Sequence, residues 1–405
     1  MLQPHPKERI ESARVMMYGH DSFGLGHLRR NLNLAGSLVE HVPGCEVLIA
    51  TGSPCSSSFP LPPGVASVKL PSVTKDDRGD YVPRQLAGAM ERVARIRRGL
   101  LLETFRSFEP DVLIVDHSIV GLFGEVEPLL REARRCGVRT VLGLRDVIDS
   151  PAAVDREWAG DLCRWAFSEA YDRILVYGDP SVFDPRTEYT FPGGAASRLE
   201  FTGYVVRPRG KRSRRPYPSL RPSVLVTVGG GEDGADRLYR YLEALEAHPV
   251  AWDSTLLMGP LIPERDARQL KRAARAHRRI SVHRFHADLP RLLSDADVVV
   301  SMAGYNTSAE VLQSETPAVF LPRTFPRQEQ RIRADRLAAR GWGLSLTDPD
   351  PKDLHAAVCH QLFAPREPSE LPDLAGASTV GRIVGGLLGA SPKRPSSRGI
   401  QGVLS

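Results

Sequence analysis

Apolar runs of four to seven residues alternate with stretches whose leucines and valines recur at helical spacing along most of the chain. The first half reads strand 14–18, helix from Leu28 to Val39, strand EVLIAT at 46–51 and strand 65–70. A polar loop is predicted over 74–83 and a long helix over 84–108, followed by strand DVLIVD (111–116) and a helix over 126–136. Strand VRTVLGL (138–144), a helix over 151–170 and strand RILVYG (173–178) complete this half. Continuous apolar strands separated by helices predict a doubly wound parallel sheet, because only strands covered on both faces dispense with polar alternation.

The rhythm breaks over FTGYVVRPRGKRSRRPYPSLRP (201–222), rich in proline, glycine and arginine, and then restarts. The second half reads strand plus glycine turn SVLVTVGGG (223–231), helix 238–245, strand STLLMG (254–259), helix 264–276 and strand ISVHRF (280–285). A strand at 298–300 leads into a small-residue turn, and a helix is predicted from about Thr307. Strand 317–321, a helix opening with Gln328, Glu329 and Gln330, strand 342–346 and helices at 351–363 and 377–389 follow. The expected organisation is an α/β protein with two Rossmann-like domains facing across a cleft. An N-terminal domain spans 1–206, a basic proline-rich linker 207–222, a C-terminal domain 223–375, and a C-terminal helix with a disordered tail 376–405. At 405 residues, two domains are the natural size.

The residues that carry chemistry sit at predicted strand ends, where open α/β sheets bind ligands. In SMAGYNTSAEVLQSETPAVFLP, Ser301 and Gly304 form a turn that lets a ligand approach backbone, and Thr307 and Glu310 follow on the helix. Thr307-x-x-Glu310 also has the form of a capping box, in which Glu310 would bond backbone. Gly229, Gly230 and Gly231 make a second phosphate-turn candidate. By letter they open a GxGxxG, but no acidic residue follows at the next strand end, which argues against NAD; nor is there a GxxxxGK[ST] pattern for an NTPase. In the first half, GLGHL (24–28) uses Gly24 and Gly26 to turn tightly and brings His27 to a helix start. The positive end of a helix disfavours imidazolium, which suits a general base, although a histidine there also serves as a cap or a packing residue. His20, Asp21 and His117 compete for the role. Arg145, beside Asp146 at a strand end, is either an acceptor or phosphate contact or half of a local ion pair.

These stretches resemble GT-B glycosyltransferases, and most closely the peptidoglycan N-acetylglucosaminyltransferase (MurG-like) group. The resemblance implies that Gly304 faces a donor diphosphate, Glu310 binds the nucleotide ribose, and Glu329 and Gln330 bind the transferred sugar. In related enzymes a GxGH histidine deprotonates the acceptor, paired with an Asp from a later strand, which assigns His27 and Asp116 as the catalytic candidates. Arg333 stands where relatives often have Asn. The implied activity is inverting transfer from a nucleotide-diphospho-sugar, most simply a UDP-sugar, to an acceptor hydroxyl that is lipid-linked or a small molecule. The alternatives are a nucleotide-sugar hydrolase or epimerase of the same fold, or a non-catalytic binder.

Composition adjusts this only slightly. A net charge of +6 fits anionic ligands, an anionic membrane surface or nucleic acid without choosing among them. The cluster Arg207, Arg209, Lys211, Arg212, Arg214 and Arg215 reads as a solvated linker before a membrane contact, and it lacks the aromatic platform of a single-strand binder, so no nucleic-acid partner is expected. The five cysteines are scattered, and neither a metal site nor a cofactor is expected. With no signal sequence and no membrane span, the expected location is cytoplasmic, with peripheral contact at the inner face of the membrane as a further expectation.

Overall fold

A computed structural model describes residues 12–20, 25–76, 80–207, 221–248, 250–286, 288–364 and 370–389. The N-terminal domain contains β1 (Arg14–Gly19), β2 (Glu46–Thr51), β3 (Val65–Lys69), β4 (Val73–Lys75), β5 (Tyr81–Pro83), β6 (Val112–Asp116), β7 (Arg139–Arg145), β8 (Arg173–Tyr177) and β9 (Leu199–Phe201). The C-terminal domain contains β10 (Ser223–Thr227), β11 (Asp253–Leu257), β12 (Ile280–His283), β13 (Val298–Ser301), β14 (Ala318–Phe320) and β15 (Leu344–Ser345). Two parallel sheets result, in the orders β3-β2-β1-β6-β7-β8-β9 and β12-β11-β10-β13-β14-β15. Strands such as VLIVD and VVVS are buried at every position, as helices on both faces require.

Strand order reverses between β1 and β6 in one sheet and between β10 and β13 in the other. Register sets Tyr18 beside Val115 and Thr227 beside Ser301, so the carboxyl ends at each reversal are level. Connections leave in opposite directions there, which opens a crevice. Every turn singled out above follows one of the strand ends at or next to these two reversals.

The structure differs from the predicted elements in a few places. The polar stretch expected as a loop forms the antiparallel hairpin β4–β5, whose Val73 packs with Val93 and Leu122. The helix expected from residue 84 begins at Met90, after Pro83 and a Gly88 at φ +115°. The helix expected over 151–170 is divided at Gly160 into Pro151–Trp158 and two short helical turns. β9 extends the first sheet at the start of the expected linker, and residues 208–220 of that linker lie outside the described residues, as does the tail from 390. The final helix, Gly376–Gly389, returns to the N-terminal domain: Ser37 Oγ donates to the Ala377 carbonyl at 2.8 Å, and Gly381 lies against Ser37 and His41. Among the described residues, no helix is long and apolar enough to cross a membrane.

Candidate functional site

Two helix starts, one from each domain, converge on the cleft. The helix Gly26–His41 begins after Leu25, and the helix Tyr305–Ser314 after Gly304, and neither has a side-chain cap. The first N–H groups of both are therefore left for solvent or a ligand, at the positive ends of two helix dipoles. Gly26 and Gly304 have open space where a Cβ would sit, so neither glycine is required by protein packing. The left-handed residue of the second turn is Ala303, at φ 57°. Asn306 Nδ2 donates to the Gly26 carbonyl at 2.9 Å and holds the two helix starts together. Gly24 lies outside the described residues.

His27, on the first turn of its helix, lies with Nδ1 2.6 Å from Asp116 Oδ2 at the end of β6. Arg30, one turn along, binds the same carboxylate through Nε to Oδ1 at 2.9 Å and Nη2 to Oδ2 at 2.7 Å. Burial pushes the Asp116 carboxyl up, but Arg30 first and then His27 outweigh it and hold it down at about 2. An ionised carboxylate at this distance needs a proton on Nδ1, so the 3.2 Å approach of Arg30 Nη2 to that nitrogen is a contact, not a hydrogen bond. With Nδ1 donating to Asp116, Nε2 is the ring nitrogen that can act as an acceptor.

Around this pair, His20 follows β1 and His117 follows β6, with ring centroids 4.4 and 5.7 Å from that of His27. Burial holds both rings well below the usual imidazole range, reinforced at His20 by His27 and at His117 by Arg145. Arg145 Nη2 lies 2.8 Å from His117 Nε2. The expected alternative of a local Arg145–Asp146 pair is corrected here. Successive residues past a strand point to opposite faces, and Asp146 instead binds Arg333 at 2.7 Å. Burial, with Arg30 and Arg333 nearby, lowers the Arg145 guanidinium to about 10.

On the C-terminal side, the capping box is also corrected. The helix starts two residues before Thr307, which leaves Thr307 inside its first turn, and Glu310 Oε1 accepts from Arg29 of the N-terminal domain instead of backbone. Glu310 Oε2 and Ser301 Oγ are buried without partners. Gly229, at φ 63°, has open space around its Cβ position, and Gly230 lines the cleft beside it. Gly231 does different work: a Cβ there would come within 2.0 Å of the Met258 carbonyl, so its role is packing against the neighbouring strand end. Glu329 Oε1 accepts from Arg323 Nη2 at 2.6 Å while Oε2 has no partner, and Gln330 Oε1 accepts from the Arg323 backbone N–H at 3.2 Å. Burial raises the Glu329 carboxyl, yet Arg323 and then Arg145 bring it below the usual range.

These groups line three adjoining cavities. One of about 160 Å³ is bounded by His27, Gly229, Gly230, Gly304, Thr307 and Gln330. One of about 500 Å³ holds His27, His117, Arg145, Phe123 and Arg327. The third, about 600 Å³, lies between Arg29 and Glu310 on one side and Leu257, Gly259, Phe285 and Leu289 on the other. Glu310, Glu329, Ser301, Asn306, His117 and Arg145 all carry buried polar atoms without partners, and a native fold keeps such atoms where a ligand or water completes them. Sequence reading missed Arg29, Arg30, Asn306 and Arg323. Arg30 had a signal, because it follows His27 at helical spacing.

Residues 224–373 match the model of the glycosyltransferase family 28 C-terminal domain. The UDP-N-acetylglucosamine–N-acetylmuramyl-(pentapeptide) pyrophosphoryl-undecaprenol N-acetylglucosamine transferase of Natranaerobius thermophilus is 38% identical over 71 residues, 17% of this chain and 19% of that one. The enzyme of the same name from Acidothermus cellulolyticus is 25% identical over 297 residues, 68% of this chain and 77% of that one. The chain spans 19 to 45% of the length of the first curated relatives that it matches. The crystal structure of Acinetobacter baumannii MurG superposes with a TM-score of 0.55 at 18% identity, covering 94% of this chain and all of that one.

Proposed function

We propose, from the premise that the chain has the GT-B fold, carries a family 28 glycosyltransferase C-terminal domain and resembles the MurG-like group, that it transfers a sugar from a nucleotide-diphospho-sugar, most simply a UDP-sugar, to an acceptor hydroxyl. The observation that carries this reading is the meeting of two uncapped helix starts at one cavity, with the His27–Asp116 pair beside it.

In this reading the donor diphosphate lies against the N–H groups after Leu25 and Gly304 and the open turn at Gly229 and Gly230. The ribose meets Glu310, with the base in the more apolar cavity beyond it. The transferred sugar meets Glu329 and Gln330. The acceptor enters the 500 Å³ cavity, where its hydroxyl donates to His27 Nε2. Its oxygen forms a bond to the sugar C1 as the bond from C1 to the phosphate oxygen breaks on the opposite face, with inversion. The proton passes to His27, and the imidazolium is stabilised by Asp116, which Arg30 keeps ionised. The developing phosphate charge falls on fixed backbone donors in a partly dry site. No step needs a metal ion or another cofactor. The relatives named as undecaprenol-linked transferases support a lipid-linked acceptor reached from a membrane face.

The test pairs donor affinity with turnover. UDP and UDP-sugars are expected to raise the melting temperature, and adenine dinucleotides are not. His27→Ala is expected to keep UDP affinity and lose about 10²–10⁴-fold in turnover, the range of a missing general base. Loss of UDP affinity with turnover retained would put His27 at the diphosphate instead. Turnover in water alone, indifferent to added acceptors, would make the protein a hydrolase, and UDP-sugar binding with no turnover would make it a binder.

A further inference from the structure

Most cations in the cleft already have partners. Arg30 is bound to Asp116, Arg333 to Asp146, Arg323 to Glu329 and Asp233, and Arg327 lies by Glu157 and Asp149. Arg145 is the exception. Among the described residues it has no carboxylate within ion-pair distance, its single hydrogen-bond contact is the neutral ring of His117, and its Nε is buried without a partner. Glu329, the acid with the largest influence on it, already accepts from Arg323. His20 and His117, held neutral, add no further positive charge beside it, and neither can balance it. Even lowered to about 10, the guanidinium keeps its proton at neutral pH, so this half-buried side chain carries a charge that no carboxylate balances. Folding leaves such a charge uncompensated only at a cost, and an oxyanion from outside would remove it.

We propose that Arg145 seats an oxyanion of the acceptor, which makes the acceptor a hydroxyl compound that also carries a carboxylate or phosphate group. The proposal rests on the reading of the cleft as a glycosyl-transfer site. The acceptor is favoured over the donor by position. Arg145 lines both the 160 Å³ and the 500 Å³ cavity, but its one hydrogen-bond contact, His117, lines only the latter, which is bounded by none of Gly229, Gly230, Gly304 and Glu310. An oxyanion bound there lies beside the base that is to receive the hydroxyl proton. The fork of a guanidinium suits two-point contact with either oxyanion. Phe123 and Phe325, both exposed on the wall of the same cavity, offer apolar surface to the remainder of the molecule.

The experiment titrates the full chain, saturated with UDP, with inorganic phosphate and separately with glycolate, by calorimetry. One of the probes is expected to bind with unit stoichiometry, and which one binds distinguishes phosphate from carboxylate. Arg145→Gln is expected to weaken that probe by about tenfold or more, the loss of a charge-assisted pair, with UDP affinity unchanged. A cation kept for function makes its glutamine variant at least as stable as wild type before ligand is added, whereas a structural cation would make it less stable. Wild type alone gives an independent reading: labelling of Arg145 by phenylglyoxal, mapped by mass spectrometry, should fall with the probe and not with UDP. The proposal is overturned if neither probe binds the UDP-saturated protein, or if Arg145→Gln binds as wild type does. It is also overturned if UDP displaces the probe and the variant weakens UDP, because the anion is then the donor's diphosphate. Absence of any UDP binding would remove the donor reading, while the dependence of the probe on Arg145 would still decide this one.

Discussion

Two of the arginine–carboxylate pairs that join the domains are built in opposite ways. Arg333, on the helix Glu329–Ala339, meets Asp146 of the N-terminal domain with both side chains wholly buried. Its Nε and Nη2 reach both carboxylate oxygens, its Nη1 donates to the Ala303 carbonyl at 3.0 Å, and Tyr204 Oη adds a bond to Asp146 at 2.9 Å. Arg29 and Glu310 make one contact at the edge of a cavity, with the arginine side chain 21% exposed and Glu310 Oε2 unbonded. The first pair is complete and has nothing to offer a ligand. The second has spare capacity where a ligand would sit, so its partners can be exchanged without dismantling the fold. A joint and a replaceable contact thus use the same two kinds of side chain, distinguished by burial and by how many of their bonds are made.

The largest effect is expected from breaking the joint. Arg333→Ala leaves Asp146 buried and unbalanced, a change that typically costs about 3–5 kcal/mol. Denaturant unfolding checks this, and replacing both partners by apolar residues should recover much of the loss. A cost below about 1 kcal/mol would mean that the joint is solvated and the contrast drawn above is wrong. Next comes the replaceable contact from the acidic side. Glu310→Ala is expected to weaken UDP by about 1.5–3 kcal/mol, the worth of a hydrogen bond to a charged group, with a much smaller change in the ligand-free melt. The opposite result, a lower melt with UDP affinity intact, would make Glu310 a purely structural partner of Arg29.

The sequence made the strand ends legible and the pairings between them much less so. Parallel strands announce themselves as apolar runs, and the turns that follow are local, so the helix start at Gly26 and His27, the glycine turn and the Gly304 turn all lie after predicted strands. His27 and Asp116 were matched through a resemblance, and nothing local in VLIVD distinguishes Asp116 from an ordinary strand end. Arg29 and Glu310 are separated by 281 positions and Arg333 and Asp146 by 187, and no spacing rule reaches that far. The Thr307–Glu310 pattern failed for a different reason. It is a property of phase: the box needs Thr307 as the N-cap, and the N-cap is Gly304, three residues earlier. The Arg145–Asp146 alternative could have been rejected at once, because neighbours along a strand face opposite ways. The hairpin β4–β5 was missed because its two strands are three residues each, too short for a periodic signal.

The smallest effect is the one that best separates the two kinds of pair. Arg29→Gln removes the basic half of the replaceable contact and keeps a hydrogen-bonding head. Glu310 then faces a cavity large enough for water to reach it, so the cost to ligand-free stability is expected to stay below about 1 kcal/mol, the usual worth of a partly exposed ion pair. Salt gives the sharper measurement. At about 1 M ionic strength the screening length falls to about 3 Å, and the stability difference between wild type and Arg29→Gln should shrink towards zero. The corresponding difference for Arg333→Ala should persist, because salt cannot enter around a side chain with no exposed surface. Unfolding curves of the three proteins at low and high salt make the comparison. If the Arg29 difference survives 1 M salt, the contact is as closed as the joint, and a nucleotide would have to open the domains before it could reach Glu310.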